Sequence, residues 1–180
     1  MKNQQSYIEL KTMKPKEITP QLKVSILNQS EWSLKEQNPE KYTMIIFYRG
    51  YHCPVCKKQL ETVAENLSEF KQRGIDVVAI SMDTKERAEK SLNEWKINGL
   101  AIGHDLPLET AKAWGLYLSK AISDKEPDLF SEPAIFLIKP NGTLFFASIQ
   151  TMPFARPKIT DLIKSIDFVE DKNYPARGEA

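Results

Sequence analysis

Short apolar runs alternate with segments of helical periodicity in the middle of the chain. The runs at residues 44–48 and 75–80 have strand length and predict strands covered on both faces. Between them, apolar residues recur at helical spacing over residues 55–70, and Gly74 marks the end of that helix. The order strand, helix, strand predicts parallel strands joined by a right-handed crossover.

Capping and turn signals extend this pattern in both directions. Asp83 and Glu86 form a predicted capping box, with Asp83 as the N-cap of a helix that continues to residues 98–99. Residues 22–26 alternate apolar and polar, residues 28–30 offer a turn, and residues 32–34 are the predicted return strand. The chain therefore begins its fold with a β-hairpin.

The C-terminal half adds a hairpin and a helix. Residues 134–139 and 143–149 flank Asn141-Gly142, a strong hairpin signal, and residues 159–169 form an amphipathic helix. A short helix is predicted at residues 108–114. This order predicts an α/β thioredoxin fold: a central mixed β-sheet with helices on both faces and an N-terminal β-hairpin extension. We expect a loosely ordered lead-in at residues 1–20, one thioredoxin-like (redoxin) domain at 21–172, and a tail at 173–180.

Composition narrows the function classes. The 25 Lys and Arg residues balance 24 Asp and Glu, so the net charge of +1 gives no sign of a nucleic-acid partner or an anionic membrane. The polar N-terminus shows no signal peptide, and no apolar run has the length of a membrane span. Two cysteines exclude a structural disulfide framework and favour a cytoplasmic enzyme.

The cysteines form a Cys53-Pro54-Val55-Cys56 motif directly between the first buried strand and its helix. Proline is favoured at the first helical position, which makes Cys53 the predicted N-cap and places Cys56 in the first turn. N–H groups and the helix dipole at the N-terminus of this helix favour a thiolate on its cysteines. Arg49, Lys57 and Lys58 add positive charge if their side chains point toward the cysteines. A thiolate is the species that thiol–disulfide exchange requires.

The alternative for this motif is half of a zinc site. Zinc needs two further ligands, and His52 and His104 are the only histidines of the chain. His52 adjoins Cys53, which is an awkward geometry for joint ligation, and there is no second cysteine pair. We therefore expect no metal and no bound organic cofactor in the active site.

Other residues have a functional and an ordinary interpretation. Pro133 opens the strand at 134–138, and we favour a cis-proline loop beside the cysteines over an ordinary trans proline. Arg156 is either a thiolate-stabilising cation or a solvated charge. His52 is either a proton carrier or an exposed loop residue, while His104 is interpreted as a polar loop residue. The three tryptophans are expected in the core: Trp32, Trp95 and Trp114.

Four segments carry a family resemblance: FYRGYHCPVCKKQL, IDVVAISMDTKERAEK, AIFLIKPNGTLFF and PFARPKITDLIKSI. From about residue 22 to residue 169 the chain resembles the peroxiredoxin-like branch of the thioredoxin superfamily, the alkyl hydroperoxide reductase and thiol-specific antioxidant group. The resemblance implies reduction of hydroperoxides by a cysteine in the first turn of this helix, which becomes a sulfenic acid and is resolved by a second thiol.

The chain departs from that family at the motif itself. Peroxiredoxins surround the reactive cysteine with Pro-x-x-x-Thr-x-x-Cys. Counting back from Cys56 gives Cys53 in place of Thr and Arg49 in place of Pro, and counting back from Cys53 gives Gly50 and Ile46. The alignment nevertheless favours Cys56 as the peroxidatic residue.

The family's arginines are retained only in part. Pro133 replaces the arginine that introduces the strand at 134–138, while Arg156 matches a second arginine before the closing helix. The peroxide-activating set is therefore largely missing, and the thioredoxin set of a cysteine pair and a strand-opening proline is present.

We interpret the chain as a thiol–disulfide oxidoreductase or peroxiredoxin-like antioxidant protein. In disulfide exchange Cys53 attacks and Cys56 resolves; in peroxide reduction one of the pair is oxidised and the other resolves it. Its expected partners are a disulfide or hydroperoxide substrate and an external thiol reductant such as a thioredoxin or glutathione system, and a homodimer stays open. The alternative is a non-catalytic thioredoxin-fold module with a metal-binding or redox-sensing cysteine pair.

Overall fold

A computed structural model describes residues 13–29 and 31–180 of the chain. Its strands are β1 (Lys23–Ile26), β2 (Trp32–Ser33), β3 (Tyr42–Phe47), β4 (Ile75–Ile80), β5 (Ala101–His104), β6 (Leu118–Lys120), β7 (Leu129–Ser131), β8 (Ala134–Ile138) and β9 (Leu144–Ile149). Its helices are α1 (Pro54–Glu65), α2 (Leu67–Gln72), α3 (Lys85–Glu94), α4 (Leu108–Ala113) and α5 (Ile159–Lys172), with a 3₁₀ turn at Leu34–Glu36.

Seven strands form one mixed sheet in the order β2-β1-β5-β4-β3-β8-β9, and β6 pairs with β7 in a separate two-stranded ribbon. The three strands β3, β4 and β5 are parallel, while β8 is antiparallel to β3 and to β9. At the other side, β1 is antiparallel to β5 and pairs with β2 as the predicted hairpin. This topology confirms the predicted α/β thioredoxin-type sheet.

The central strand β3 has apolar side chains on both faces. Met44 and Ile46 pack into a core that also takes the buried faces of α1, α2, α3 and α5. Ile45 and Phe47 point to the opposite face and pack with Trp114 at the end of α4. The continuous apolar run was thus correctly interpreted as a strand between two layers, and burial on two faces holds β3 in register.

The long helix predicted for residues 55–70 is two helices. Asn66 interrupts it with φ −107° and ψ 12°, and its side-chain amide donates to the Thr62 carbonyl at 2.8 Å. The side chain of Asn66 thereby takes over a backbone acceptor, which is how asparagine competes with helix continuation. The predicted return strand is likewise shorter, because the 3₁₀ turn begins at Leu34.

The predicted capping box is wrong. Thr84 is the N-cap of α3, without a side-chain cap hydrogen bond, and the helix ends at Glu94, short of the predicted residues 98–99. The Asp83 carboxylate instead accepts the backbone N–H of Tyr51 and binds Arg87, so the strand-to-helix junction serves the neighbouring loop rather than its own helix.

Residues 16–19, before β1, contact the β8–β9 hairpin through backbone hydrogen bonds. The N–H of Lys16 donates to the Leu144 carbonyl at 2.7 Å, and the N–H of Thr19 donates to the Gly142 carbonyl at 3.0 Å. Residues 1–12 of the predicted lead-in, and Ser30 of the predicted turn, lie outside the described residues. Helix α5 ends where the predicted domain ends, and the division at 20/21 and 172/173 stays a prediction. Within residues 13–29 and 31–180, no helix has the length and apolarity to cross a membrane.

Candidate active site

The cysteine pair lies where β3 leads through a tight loop into α1. Cys53 is the N-cap: its sulfur accepts the backbone N–H of Cys56 at 3.2 Å, and Pro54 occupies the first helical turn. The N–H of Cys53 itself donates to the Gly50 carbonyl at 3.1 Å. Both thiols are free. The structure therefore has the local geometry that the Cys-Pro-x-Cys spacing predicts.

Both sulfurs are enclosed. Cys53 is 1% exposed and Cys56 is 0% exposed, because both belong to the core that packs between the sheet and α5. Cys53 is therefore enclosed despite its position at the N-cap of α1. Because the sulfurs are enclosed, only small molecules have direct access to them unless the surrounding loops move.

Arg156 closes the site from the loop before α5. Its Nη2 lies 3.1 Å from the Cys56 sulfur and 3.6 Å from the Cys53 sulfur. Its other nitrogens donate to the Pro153 carbonyl and to Gln59 Oε1, both at 2.6 Å. These neutral partners fix the guanidinium without cancelling its charge, so the geometry supports a thiolate-stabilising cation rather than a solvated charge.

The two thiols have opposite pKa shifts. The pKa of Cys53 is lowered to about 6, first by a hydrogen bond from the Cys56 thiol, against the effect of burial, and further by the Cys56 backbone N–H, Arg156 and Arg49. Burial, and then the interaction with Cys53, raises the pKa of Cys56 well above its usual range. These opposite shifts favour ionisation of Cys53 before Cys56.

Asp83 fixes the loop that presents Cys53. Its carboxylate accepts the N–H of Tyr51 at 2.6 Å and pairs with Arg87 Nε at 2.8 Å. Gly50 has φ +131°, and a Cβ added there would lie 2.6 Å from Asp83 Oδ1. Sequence reasoning missed this role; an acid three residues after a buried strand was the available signal.

Arg49 precedes Cys53 by four residues in the loop after β3 and contributes to the lowered pKa of the Cys53 thiol. It pairs with Glu126 at 3.4 Å and with Glu132 at 3.3 Å, and its guanidinium lies 4.7 Å from the centroid of the Phe130 ring. The cations that act on Cys53 are thus Arg156 and Arg49. Lys58, in contrast, is exposed on α1.

The two histidines lie in different surroundings. The His52 ring packs on Phe130 at 4.7 Å, its Nδ1 lies 3.4 Å from Arg87 Nη2, and burial together with Arg49 lowers its pKa. His52 is therefore a half-buried neutral imidazole beside the arginines. His104 is not a loop residue as expected: it ends β5, is 6% exposed and binds Asp105 at 2.6 Å.

Pro133 is buried at the junction of β7 and β8, but its peptide bond is trans, since the described residues contain no cis peptide bond. The cis-proline prediction is wrong because the chain passes in extended form between these strands, where the trans isomer is favoured. Its carbonyl accepts the N–H of Gln150, and none of the cysteines' described hydrogen bonds involves it. The structure brings together Cys53, Cys56 and Arg156, without such a contact to Pro133.

The zinc alternative lacks a ligand set in the described part of the chain. No group of three or more His, Cys, Asp or Glu side chains there is arranged to hold a metal ion.

The three tryptophans are buried in the core as predicted.

Comparison with known proteins places this chain in a family. A model of the AhpC/TSA family matches residues 15–147. The bovine mitochondrial thioredoxin-dependent peroxide reductase is 27% identical over 139 residues, and the human protein of the same name is 25% identical. The match covers 72% of this chain and 51% of either relative, so the chain spans about half the length of these curated relatives.

Solved structures agree on the fold. The reduced 2-Cys peroxiredoxin of Plasmodium vivax superposes with a TM-score of 0.72 at 18% identity, covering 90% of this chain and 85% of that one. A cysteine mutant of peroxiredoxin 6 from Arenicola marina gives a TM-score of 0.74 at 18% identity, covering 90% and 76%. The family model, with the shared fold, confirms the resemblance read in the sequence: the chain belongs to the AhpC/TSA family.

Proposed function

We propose that the protein is a thiol-dependent peroxide reductase in which Cys53 attacks the peroxide and Cys56 resolves the product. The observation that carries the proposal is that the Arg156 guanidinium, which no carboxylate of the described residues neutralises, contacts both sulfurs of a pair in which the pKa of Cys53 is lowered and that of Cys56 is raised. Family membership supports the same reaction class.

The reaction balances with these groups. The Cys53 thiolate attacks one oxygen of ROOH, the O–O bond breaks, and the leaving RO⁻ takes a proton to give ROH. Cys53 is then a sulfenic acid, with two electrons transferred to the peroxide. The Cys56 sulfur attacks the Cys53 sulfur, which releases water and forms the Cys53–Cys56 disulfide. An external dithiol reduces this disulfide and becomes a disulfide itself.

Electrostatics favours Cys53 over Cys56 as the attacking residue, in contrast to the residue implied by motif alignment. A nucleophile must be ionised at working pH, and the pKa of Cys53 is lowered to about 6 whereas that of Cys56 is raised. Arg156 Nη2 reaches both sulfurs, so it also lies close to the oxygen that departs when Cys53 attacks.

Dithiol–disulfide exchange is the second candidate. It is favoured by the N-cap Cys53 followed by a proline and a protonated partner in the first turn, an arrangement that performs exchange without any peroxide. Burial of both sulfurs weighs against it as the main activity, because a small hydroperoxide enters an enclosed site more easily than a protein disulfide does.

The names of the relatives suggest a reductant. The bovine and human proteins are called thioredoxin-dependent, and we propose a dithiol of this kind, or glutathione, as the electron donor here. A cytoplasmic setting is a further part of the proposal, supported by a cysteine count of two, which is too low for a structural disulfide framework.

The test is a rapid-mixing intact-mass experiment on the reduced chain with one equivalent of hydrogen peroxide or of an organic hydroperoxide. We expect wild type to lose two hydrogens within the first seconds. Cys56→Ser should accumulate a sulfenic acid on Cys53 that dimedone traps. Cys53→Ser should react at least about a hundredfold more slowly, because the remaining thiol stays protonated.

Other outcomes reassign the function. Oxidation of wild type over many minutes, with fast reduction of a model peptide disulfide, replaces peroxide reduction by disulfide exchange. A dimedone adduct on Cys56 in the Cys53→Ser variant at the wild-type rate reverses the two roles. Slow reaction with both substrates leaves neither activity and points to a redox-sensed or non-catalytic pair.

A further inference from the structure

An apolar groove runs along α5 on the side that faces β9, and its volume of about 600 Å³ is typical of small-molecule sites. Its floor is made of buried and half-buried apolar side chains from β8, β9 and α5: Leu137, Phe146, Leu162, Ile166 and Val169. Its walls include small residues, Ala147 and Ser148 from β9 and Ser165 from α5. Because these side chains fill little of the space between the strand and the helix, the gap between them, the α5 groove, stays open.

One end of the α5 groove lies beside the cysteine pair. Arg156 lines this end, and Nη2 of the same side chain lies 3.1 Å from the Cys56 sulfur and 3.6 Å from the Cys53 sulfur. Lys158 lines the same end from the N-cap of α5. A polar group of a ligand placed at this end is therefore separated from both sulfurs by one side chain, the guanidinium.

The other end of the α5 groove adjoins a second cavity, the Lys139 cavity, since Phe145 and Val169 line both. The Nζ of Lys139 lies 5.4 Å from the centroid of the Phe145 ring, which holds the ammonium at this end of the groove. Lys41 also lines the Lys139 cavity, but it is bound to Glu170 at 2.5 Å. Among the described lining residues of this cavity there are thus two lysines for one acid, and the charge of Lys139 is left for a ligand.

Shape and charge together fit a ligand with a long apolar body, a carboxylate at one end and a reacting oxygen further along. From Lys158 to Asn173 the helix and its caps extend about 22 Å, close to the length of an extended chain of about eighteen carbons. We propose that the α5 groove binds a free long-chain fatty acid hydroperoxide. The carboxylate binds Lys139, the chain lies on the apolar floor, and the hydroperoxide group reaches Arg156. A single groove takes a single chain, which favours a free acid over a two-chain phospholipid.

This inference names a substrate for the proposed function and rests on it for the reaction at the sulfurs, but binding in the groove does not require turnover. In the reaction, the hydroperoxide ROOH becomes the alcohol ROH while the two thiols become a disulfide. The acid therefore leaves as a hydroxy fatty acid of nearly the same shape. A hydroxy fatty acid should bind the same groove without reacting, so that affinity is measurable separately from activity.

The experiment measures binding of ricinoleic acid, a long-chain hydroxy acid, and of its methyl ester to the intact reduced chain by calorimetry, below the concentration at which either aggregates. Ser165→Phe fills the groove and should weaken the binding of both ligands at least about tenfold. Lys139→Met should weaken binding of the acid about fivefold, as loss of a surface ion pair does, and leave the ester unchanged. Thr160→Phe and Lys164→Met are the matched controls, because both residues are exposed on α5 outside the groove lining, and both should leave the Kd unchanged.

The comparison of acid with ester on wild type needs no variant, so it decides the matter even if Ser165→Phe folds poorly. Equal affinity for the two ligands, or an unchanged Kd in Lys139→Met, overturns the carboxylate site. Absence of binding to wild type, or an unchanged Kd in Ser165→Phe, overturns the groove as the binding site.

Other occupants of the groove give different results. Binding of wild type to phosphatidylcholine vesicles but not to the free acid assigns the groove to a membrane lipid and overturns the proposal. A dimer that Ser165→Phe converts to a monomer in light scattering, without fatty acid binding, assigns the groove to a second copy of the chain and overturns it as well. If ricinoleic acid binds as expected while wild type reduces no hydroperoxide, the groove assignment holds and the proposed function fails. Rapid reduction of hydrogen peroxide by a chain that does not bind the acid is the converse result.

Discussion

Gly50 has a backbone conformation and a close neighbour that leave no room for a side chain. Its φ of +131° is a conformation that L-residues rarely adopt, and an added Cβ would lie 2.6 Å from Asp83 Oδ1. We expect Gly50→Ala to lower the free energy of unfolding by at least about 2 kcal/mol, because the backbone is strained and the buried carboxylate loses its place. Urea unfolding of the reduced protein measures this.

Gly142 provides the matched control for that substitution. It also has a positive φ, +80°, but a Cβ there meets no atom within 4 Å. Gly142→Ala should therefore cost only the backbone strain, about 1 kcal/mol. Equal losses for the two variants would show that Asp83 tolerates the added methyl group and does not fix the loop.

At the residue scale, sequence reasoning succeeded where the determinants are local. The cap role of Cys53 depends on Pro54 and on a hydrogen bond three residues along the chain, so spacing alone predicts it. Asp83 was misassigned because its partner Tyr51 lies 32 residues away. The ion pair between Arg49 and Glu132 was missed for the same reason, since it requires a tertiary contact that no periodicity encodes.

One polar contact joins the start of β3 to the last turns of α5. The Tyr42 hydroxyl donates to Glu170 Oε1 at 2.7 Å, and Tyr42 is 4% exposed. Tyr42→Phe should destabilise the fold by about 1–2 kcal/mol, because a hydrogen bond to a carboxylate is lost in a mostly buried place. A double-mutant cycle with Glu170→Gln, followed by urea unfolding, should give a coupling of about 1 kcal/mol.

Lys41 offers the comparison for this cycle, because it binds the other oxygen of the same carboxylate at 2.5 Å from an exposed position. Lys41→Met should cost less than about 0.5 kcal/mol, as exposed ion pairs do. A larger loss for Lys41→Met than for Tyr42→Phe would place the stabilising contact on the surface pair instead.

At the element scale, apolar patterns predicted β3, β4 and α5, and the Asn141-Gly142 turn predicted the β8–β9 hairpin, close to their observed bounds; α4, predicted from a weaker pattern, also lies where expected. The break between α1 and α2 was missed because the apolar pattern runs on through it and only the side chain of Asn66 competes with the helix. The β6–β7 ribbon was missed because its strands have three residues each and are held by contacts such as Ser119 with Glu132. Short strands carry little pattern of their own.

The whole molecule determines what the motif alone does not: how deeply the sulfurs are buried and which charges reach them. The order of strands and helices predicted the sheet, since parallel strands need crossovers and a run buried on both faces needs two layers. Enclosure of Cys53 depends on α5 and the loop before it, which deliver Arg156 from 103 residues away. The chemistry of the pair is therefore a property of the assembled fold.

That dependence links folding stability to the ionisation of Cys53. A group whose pKa is lower in the folded state than in the unfolded state contributes stability above its unfolded pKa, and the contribution is lost as pH falls through the folded pKa. The pKa of Cys53 is lowered to about 6 in the folded chain. The stability of the reduced protein should therefore rise between about pH 6 and pH 8.5, the ordinary thiol value.

Cys53→Ser is the variant that isolates this effect, because serine still caps the helix but does not ionise. The difference in unfolding free energy between wild type and Cys53→Ser, measured with urea under reducing conditions, should grow by on the order of 3 kcal/mol from pH 6 to pH 8.5. Titrating groups outside the cysteine pair cancel in that difference. Parallel stability curves for the two proteins would mean that folding does not ionise Cys53, and the nucleophile would have to be generated in another way.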